Sequence, residues 1–359
     1  MTWLCRTVLA PLLAALVLSL PASASAARPF NLGAGNQPGI AVGSSGEAHV
    51  AWKRELGGRD VLEYCRVEKR TRRCSLRRTL QLGDRTTTGD AIVLAPSPGV
   101  VHILVGAGGS ERGALFTSTN GGETFAGPYA LGELAGIRAA AMAPAGGFTV
   151  MTDFFGVNVA RFGLDGSGPA GEPAAELGTA RERALGVLGN MPVALFVEDF
   201  RLRTYRGLGA DLNNPAGWVE GPGIRRVDTV EAAGGRRGLW VAYTHRRSFH
   251  RDVKIRRLRA GGWGRVRPIN RGDDPLWINL AQGRSGLVVA WATSTATRVR
   301  YRTSRTGRRW SRVRTLFRGH NPTELRMALG RRGGWMVWDG DELNAGTDTI
   351  RIAPVPRPR

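Results

Sequence analysis

The chain has 359 residues and carries 51 lysines and arginines against 29 aspartates and glutamates, a formal net charge of +22 at pH 7. Such a charge attracts anionic partners without specifying a fold. Hydrophobic residues make up 42% of the chain and apolar runs recur along its whole length, which excludes a long disordered protein. The 50 glycines therefore indicate many tight turns between ordered segments.

The first 26 residues have the pattern of a secretory signal peptide. Arg6 precedes an apolar run from Val8 to Leu20, and small residues at A-x-A spacing follow it up to Ala26. The apolar run is too short for a membrane-spanning helix, which needs about 20 residues. We expect cleavage near Ala26, secretion of residues 27–359 as a single domain, and no membrane-spanning segment. An uncleaved N-terminal anchor remains the alternative.

Cys65 and Cys74 lie in two strand-like runs that a basic turn joins. Facing positions on a hairpin bring two Cα atoms close enough for a disulfide, and secretion would expose the thiols to oxidising conditions. A zinc site is disfavoured because no Cys or His pair stands nearby to complete four ligands. We predict a Cys65–Cys74 disulfide, with two unpaired thiols as the alternative.

A short hydrophobic strand recurs seven times along the chain. The seven strands end at Trp52, Val105, Thr152, Val197, Tyr243, Trp291 and Trp338. The steps between these residues are 53, 47, 45, 46, 48 and 47 residues. A period of this length, built from short strands, is typical of β-propeller blades.

Each repeat contains four strand-like segments separated by glycine-rich turns, so one repeat predicts one four-stranded blade. The last repeat ends after its third strand, while Arg28 to Leu32 precede the first strand of repeat one. We predict an all-β, seven-bladed propeller in which this N-terminal strand completes blade seven. Closing the ring in this way removes open sheet edges, which otherwise promote aggregation.

Two predicted turns resemble a known motif. Residues Ser118 to Phe125, with the sequence Ser-Thr-Asn-Gly-Gly-Glu-Thr-Phe, resemble the Asp-box (BNR) turn of sialidase-like propellers, Ser-x-Asp-x-Gly-x-Thr-Trp. Ser304 to Trp310 is similar to a copy shortened by one residue. Both segments fall between third and fourth strands, where that family places the motif. The resemblance implies the fold and not an activity, because the family's Asp-box is structural and lies away from the active site.

Sialidase activity itself is disfavoured. The family's Arg-Ile-Pro near the N-terminus is missing here, and its enzymes typically have six blades against seven repeats in this chain. A broader alternative function is a glycoside hydrolase or lyase with two carboxylates about 5 to 9.5 Å apart. The candidates, which follow second strands at the predicted channel mouth, are Asp153 with Glu198 or Asp339. The same residues also suit hydrated loops or ion pairs with arginine.

The positive charge is concentrated in one part of the chain. Residues 225–332 contain 27 basic and 6 acidic residues, whereas residues 28–224 contain 20 and 19. The candidate anion-binding residues are Arg246, Arg247 and Arg251 in a mouth loop, and Arg298, Arg300 and Arg302 on a third strand. Alternate residues of a strand share a face, and guanidinium groups bind carboxylate, sulfate and phosphate through paired donors. A solvated basic surface without a ligand is the alternative.

These features together predict a secreted, monomeric, non-catalytic binding protein. The expected partner is an anionic polysaccharide, a cell-envelope polymer or an extracellular protein, and an exported protein would meet these before nucleic acid. The sequence contains no P-loop, no G-x-S-x-G and no H-x-x-x-H spacing, so neither a cofactor nor a metal is expected.

Overall fold

The computed structural model of the chain describes most residues from 29 onward. The described residues are 29–69, 71, 73–83, 90–106, 113–131, 136–142, 147–152, 156–163, 175–180, 182–209, 211–212, 214–234, 238–270, 272–293, 298–318, 321–331, 333–341, 348–355 and 358. The predicted signal peptide lies outside these residues. No helix in the described part is long and apolar enough to cross a membrane.

The described residues form short β-strands with a single turn of 3₁₀ helix at Pro215–Gly217. In chain order the strands are β1 (Phe30–Ala34), β2 (Asn36–Val42), β3 (Ala48–Leu56), β4 (Arg59–Val67), β5 (Cys74–Gln81), β6 (Ile92–Leu94), β7 (Val101–Val105), β8 (Ala114–Ser118), β9 (Ala126–Ala130), β10 (Ile137–Met142), β11 (Phe148–Thr152), β12 (Asn158–Phe162), β13 (Ala175–Glu176), β14 (Glu182–Leu188), β15 (Met191–Glu198), β16 (Arg201–Gly207), β17 (Trp218–Glu220), β18 (Ile224–Arg225), β19 (Val227–Ala233), β20 (Leu239–Arg247), β21 (His250–Arg259), β22 (Gly262–Trp263), β23 (Arg267–Pro268), β24 (Pro275–Gly283), β25 (Gly286–Thr293), β26 (Arg298–Ser304), β27 (Arg314–Arg318), β28 (Asn321–Gly330), β29 (Gly333–Asp341) and β30 (Thr349–Val355).

The strands pair into seven antiparallel sheets, which are the seven blades. Blades one to six run β2–β5, β6–β9, β10–β13, β14–β17, β19–β22 and β24–β27, and blade seven has the order β28–β29–β30–β1. Two short strands extend blades four and five, because β18 pairs with β16 and β23 pairs with β21. The seven-bladed propeller predicted from the sequence period is confirmed.

The N-terminal strand closes the ring, as predicted. Strand β1 pairs antiparallel with β30, with Phe30 opposite Ile352 and Ala34 opposite Thr349. Leu32 is only 3% exposed and belongs to the hydrophobic cluster between blades seven and one. The first and last strands of the described residues therefore belong to the same blade, and β30 does not remain an open edge.

The hydrophobic core is divided among the interfaces between blades. Each of the seven buried clusters of the described residues joins two neighbouring blades. Trp52, Trp291 and Trp338, on the second strands of their blades, are fully buried in these clusters. A blade thus buries both of its faces only when it has a neighbour on each side, which is the physical basis of the repeat.

The predicted disulfide is confirmed. Cys65 on β4 and Cys74 on β5 are bonded, with 5.6 Å between their Cα atoms. The bond links the third and fourth strands of blade one, where Cys74 pairs with Val67. It ties the outer strand to the interior of the blade.

Each blade has two ends, which blade six illustrates. At the mouth end the chain enters β24 at Pro275, and β25 leaves toward β26 at Thr293. At the turn end lie the connections from β24 to β25 and from β26 to β27. The first strands, β2, β6, β10, β14, β19, β24 and β28, surround the central channel.

Leu32→Ala tests the importance of ring closure for stability. Removing a buried leucine side chain from the junction of blades seven and one should lower the free energy of unfolding by about 2–5 kcal/mol. Leu56→Ala is the matched control, because Leu56 is 49% exposed and its loss should cost less than about 0.5 kcal/mol. Urea denaturation measures both changes. Equal effects of the two substitutions would contradict a critical role for the β1 contact.

Candidate functional site

The predicted catalytic carboxylates have different surroundings. Asp153 lies outside the described residues. The carboxylate of Glu198 accepts hydrogen bonds from Arg203 Nε at 3.1 Å and Thr179 Oγ1 at 3.2 Å. Glu198 therefore belongs to an ion pair on blade four.

Asp339 is buried and holds backbone together. Its Oδ1 accepts from the backbone N–H of Glu324 at 2.7 Å, and its Oδ2 accepts from the N–H of Gln37 at 2.9 Å. The side chain is 2% exposed. Asp339 thus joins the bulged first strand of blade seven to the bulged first strand of blade one, across 302 residues of sequence.

Four of the six predicted anion-binding arginines are engaged within the protein. Ion pairs join Arg247 to Asp252 at 3.4 Å, Arg251 to Asp228 at 2.9 Å, and Arg300 to Asp273. Arg302 instead donates from Nε to the carbonyl of Ser311 at 2.6 Å and from Nη1 to that of Ile269 at 2.8 Å. These contacts connect strands and loops at the mouth end and along β26.

The remaining two predicted arginines are exposed at the mouth end. Arg246 lies over the ring of Phe200, 4.9 Å from its centroid. Arg298 begins β26 and has no acidic partner within the described part of the chain. The structure therefore does not bring all six predicted side chains together on one free surface.

The central channel contains a cavity of about 650 Å³, the size range of small-ligand sites. Residues from the first strands of all seven blades line it. Near the mouth end, five of these strands have a register shift: β2, β10, β19, β24 and β28. Bulges of this kind change the direction of side chains and occur frequently beside functional sites.

Acidic and basic side chains both line the channel. They are the acids Asp90, Glu182, Glu231 and Glu324 and the bases Arg138, Arg183 and Arg326. Arg326 on blade seven forms an ion pair with Asp90 on blade two, and its Nη1 lies 3.9 Å from Oε1 of Glu231 on blade five. Side chains from blades far apart in sequence therefore converge on the axis of the ring.

Two channel carboxyl groups bind protons unusually well. Burial, together with the nearby charge of Glu182, raises the pKa of Glu231 to about 8. A hydrogen bond with Asn279 acts in the opposite direction and lowers this pKa. Burial and the charge of Asp339 raise the pKa of Glu324 to about 7. Such shifts in a cavity with convergent polar groups are a typical property of functional sites. A grouping of three or more metal-binding side chains is absent from the described residues.

These channel residues were not among the site residues predicted from the sequence. The predicted carboxylates follow second strands, whereas first strands line the channel. A signal was present, because Glu231, Asn279 and Arg326 interrupt apolar first strands. A charged or amide residue within a buried strand must face a polar environment, and in a propeller the first strand meets that environment at the axis.

Charge is segregated between the two ends of blades five and six. All six acidic residues of the segment 225–332 lie at the mouth end or in the channel. Five of the exposed arginines at the turn end lie at or beside the tips of the strand connections, and none of the five has an acidic partner among the described residues: Arg259, Arg284, Arg305, Arg308 and Arg309. We call these five residues the turn-end arginine surface.

Both turns that resemble the Asp-box pack against the preceding blade. In blade two, Ser118 Oγ accepts from the N–H of Gly122 at 2.8 Å, and Asn120 Oδ1 accepts from the N–H of Thr124 at 3.0 Å. In blade six, Ser304 Oγ accepts from the N–H of Gly307 at 2.8 Å. A Cβ on Gly122 would overlap Tyr64 of blade one, and one on Gly307 would overlap Trp240 of blade five.

No protein-family model matches the chain, and no curated protein matches it in sequence. Among solved structures it is similar to the WD40 domain of Toxoplasma gondii coronin, with a TM-score of 0.56 at 14% identity over 92% of this chain and 86% of that one. It is also similar to Kuenenia stuttgartiensis hydrazine synthase, with a TM-score of 0.55 at 13% identity over 88% and 96%. A Hadza microbial sialidase gives a TM-score of 0.51 at 12% identity over 91% and 68%. At these identities the likeness shows the propeller fold alone.

Asp339→Ala separates a structural role of this carboxylate from a catalytic one. The substitution leaves two backbone N–H groups without their acceptor, which should lower the free energy of unfolding by about 2–5 kcal/mol. Glu198→Gln is the comparison variant and should cost less than about 1 kcal/mol, because its ion pair is partly exposed. Urea denaturation provides both values. An Asp339→Ala protein of unchanged stability would exclude this bridging role.

The channel carboxyl groups should make stability depend on pH. Because the pKa of Glu231 rises from 4.5 to about 8 on folding, the folded protein binds more protons than the unfolded chain within this window. Its free energy of unfolding therefore falls as pH rises from 4.5 to 8. Glu231→Gln should flatten the decline by up to about 1.4 kcal/mol per pH unit. Urea denaturation at pH 5, 6, 7 and 8 measures the slope, and the exposed Glu55→Gln is the control.

Proposed function

We propose that this protein is a secreted, monomeric, non-catalytic binding propeller whose turn-end arginine surface binds an anionic polymer. The partner class is an acidic polysaccharide or another cell-envelope polymer. The observation that carries the proposal is the segregation of charge, because the turn-end arginine surface of blades five and six is exposed while the acidic residues of this segment lie elsewhere.

The arrangement of these arginines suits a polymer better than a small anion. Arg284 lies in the turn between β24 and β25, and Arg305 follows β26. The backbone of Gly286 lies against that of Arg305, so the two turns are adjacent. Arg267 of blade five donates to the carbonyl of Arg308 at 2.8 Å and connects the two blades. Exposed charges each contribute little, so binding requires several contacts along one chain.

The disulfide supports the proposed location outside the cytoplasm, since such bonds persist in oxidising compartments. The signal peptide and its cleavage near Ala26 remain predictions within this proposal. The Asp-box interpretation of the turns at Ser118 and Ser304 also remains a proposal, with a structural role in packing neighbouring blades.

An extracellular protein is the alternative partner for the same surface. Mutual binding of two folded proteins would depend on fewer, more specific contacts and would weaken less with salt than binding of a polyanion. The exposed Arg246 and Arg298 offer a second, mouth-end location for the anion. The two ends can be tested separately because they lie on opposite sides of the ring.

The triple variant Arg305→Gln, Arg308→Gln, Arg309→Gln should weaken binding to a sulfated or uronic-acid polysaccharide by about tenfold or more at low salt. The control variant Arg59→Gln, Arg73→Gln, Arg201→Gln also removes three positive charges, but from exposed positions in blades one and four. Biolayer interferometry at 50, 150 and 300 mM NaCl measures both affinity and its salt dependence.

Equal losses in the two triple variants would show that only net charge matters and would contradict the proposal. Loss confined to Arg246→Gln, Arg298→Gln would move the site to the mouth end. Mass analysis of the bound polysaccharide adds a further criterion. Shorter products would favour the glycoside hydrolase or lyase alternative, whose candidate acids are Asp153, Glu198 and Asp339.

A further inference from the structure

The central channel contains buried hydrogen-bond acceptors that lack donors. Asn279 is only 4% exposed and lines the cavity. Its side chain shares a hydrogen bond with Glu231. Its Oδ1, however, has no donor within the described structure. Glu324 Oε2 is buried in the same way. Buried polar atoms without partners are costly, so these two indicate a ligand that supplies hydrogen-bond donors.

The presence of both acidic and basic side chains in the channel limits the class of ligand. Four carboxyl groups face three guanidinium groups, and Arg326 already pairs with Asp90. A strongly anionic ligand would meet the carboxylates, and a strongly cationic one would meet Arg138 and Arg183. A neutral molecule rich in hydroxyl groups can donate to the oxygens and accept from the guanidinium groups.

An aromatic side chain completes the lining at the mouth end. Trp277 follows the bulge in β24, lines the cavity and is 37% exposed. A partly exposed indole beside polar side chains offers an apolar surface to the C–H face of a sugar ring. The cavity of about 650 Å³ has room for one or a few sugar rings.

We propose that the central channel binds a neutral saccharide unit, which enters from the mouth end past Trp277 and donates hydroxyl hydrogen bonds to Asn279 and Glu324. This site is separate from the turn-end arginine surface. Its binding should be insensitive to salt, because no net charge is exchanged. Each site can therefore fail without the other.

The test uses residues 27–359 and calorimetric titration with neutral sugars. The panel is glucose, galactose, mannose, fucose, N-acetylglucosamine and their neutral oligosaccharides, each at 0.15 and 0.5 M NaCl. At least one should bind saturably at both salt concentrations. Trp277→Ala and Asn279→Ala should each weaken that binding by about tenfold or more, whereas Leu276→Ala, next to Trp277 but outside the cavity lining, should leave it unchanged.

Trp277 is partly exposed, so Trp277→Ala should fold even if Asn279→Ala does not; thermal unfolding of each variant verifies this. Saturable sugar binding that survives Trp277→Ala would overturn the proposal. Absence of binding across the panel, or binding only of spermidine or glucuronate included as charged probes, would also overturn it. Loss of sugar binding in the turn-end triple variant instead would assign the sugar to the arginines and refute the channel site.

Discussion

The pairing of β1 with β30 is the contact on which the rest of the fold depends. Each blade buries its two faces against two neighbours, and the hydrophobic clusters of the described residues lie at these interfaces. Without β1, blade seven would lose its outer strand and the packing of Leu32 against blade one. Ring closure therefore converts seven sheets, each too small to be stable alone, into one structure with no unpaired blade face.

Closure also brings side chains together that no local interaction would join. The first strands of seven blades meet at the axis, where polar side chains from different blades lie close together among apolar ones. Arg326 therefore contacts Asp90 and Glu231 across the ring. The limited access of water in this space raises the pKa of Glu231 and makes unpaired acceptors such as Asn279 Oδ1 costly. The polar character of the channel thus follows from the geometry of closure.

The sequence predicted the features that depend on local pattern and period. Strands, blades, ring closure and the Cys65–Cys74 bond all follow from alternation, repeat length and hairpin pairing. The channel did not, because residues such as Glu231 and Arg326 are neighbours only once the ring is complete. Asp339 shows the same limit. It resembled a loop carboxylate in sequence, yet it accepts the N–H of Gln37, which lies 302 residues away.

The distribution of arginine separates two kinds of recognition. At the mouth end, Arg251 pairs with an aspartate in β19 and Arg300 with one in the loop before β24, so their charge is neutralised and their side chains position strands. At the turn end, Arg305, Arg308 and Arg309 have no such neighbours among the described residues. A polyanion is therefore attracted to one end of the ring, while the opposite end leads to a channel that is lined by both acidic and basic side chains. In a polymer that contains both charged and neutral sugars, the two kinds of sugar would therefore bind at opposite ends of the ring.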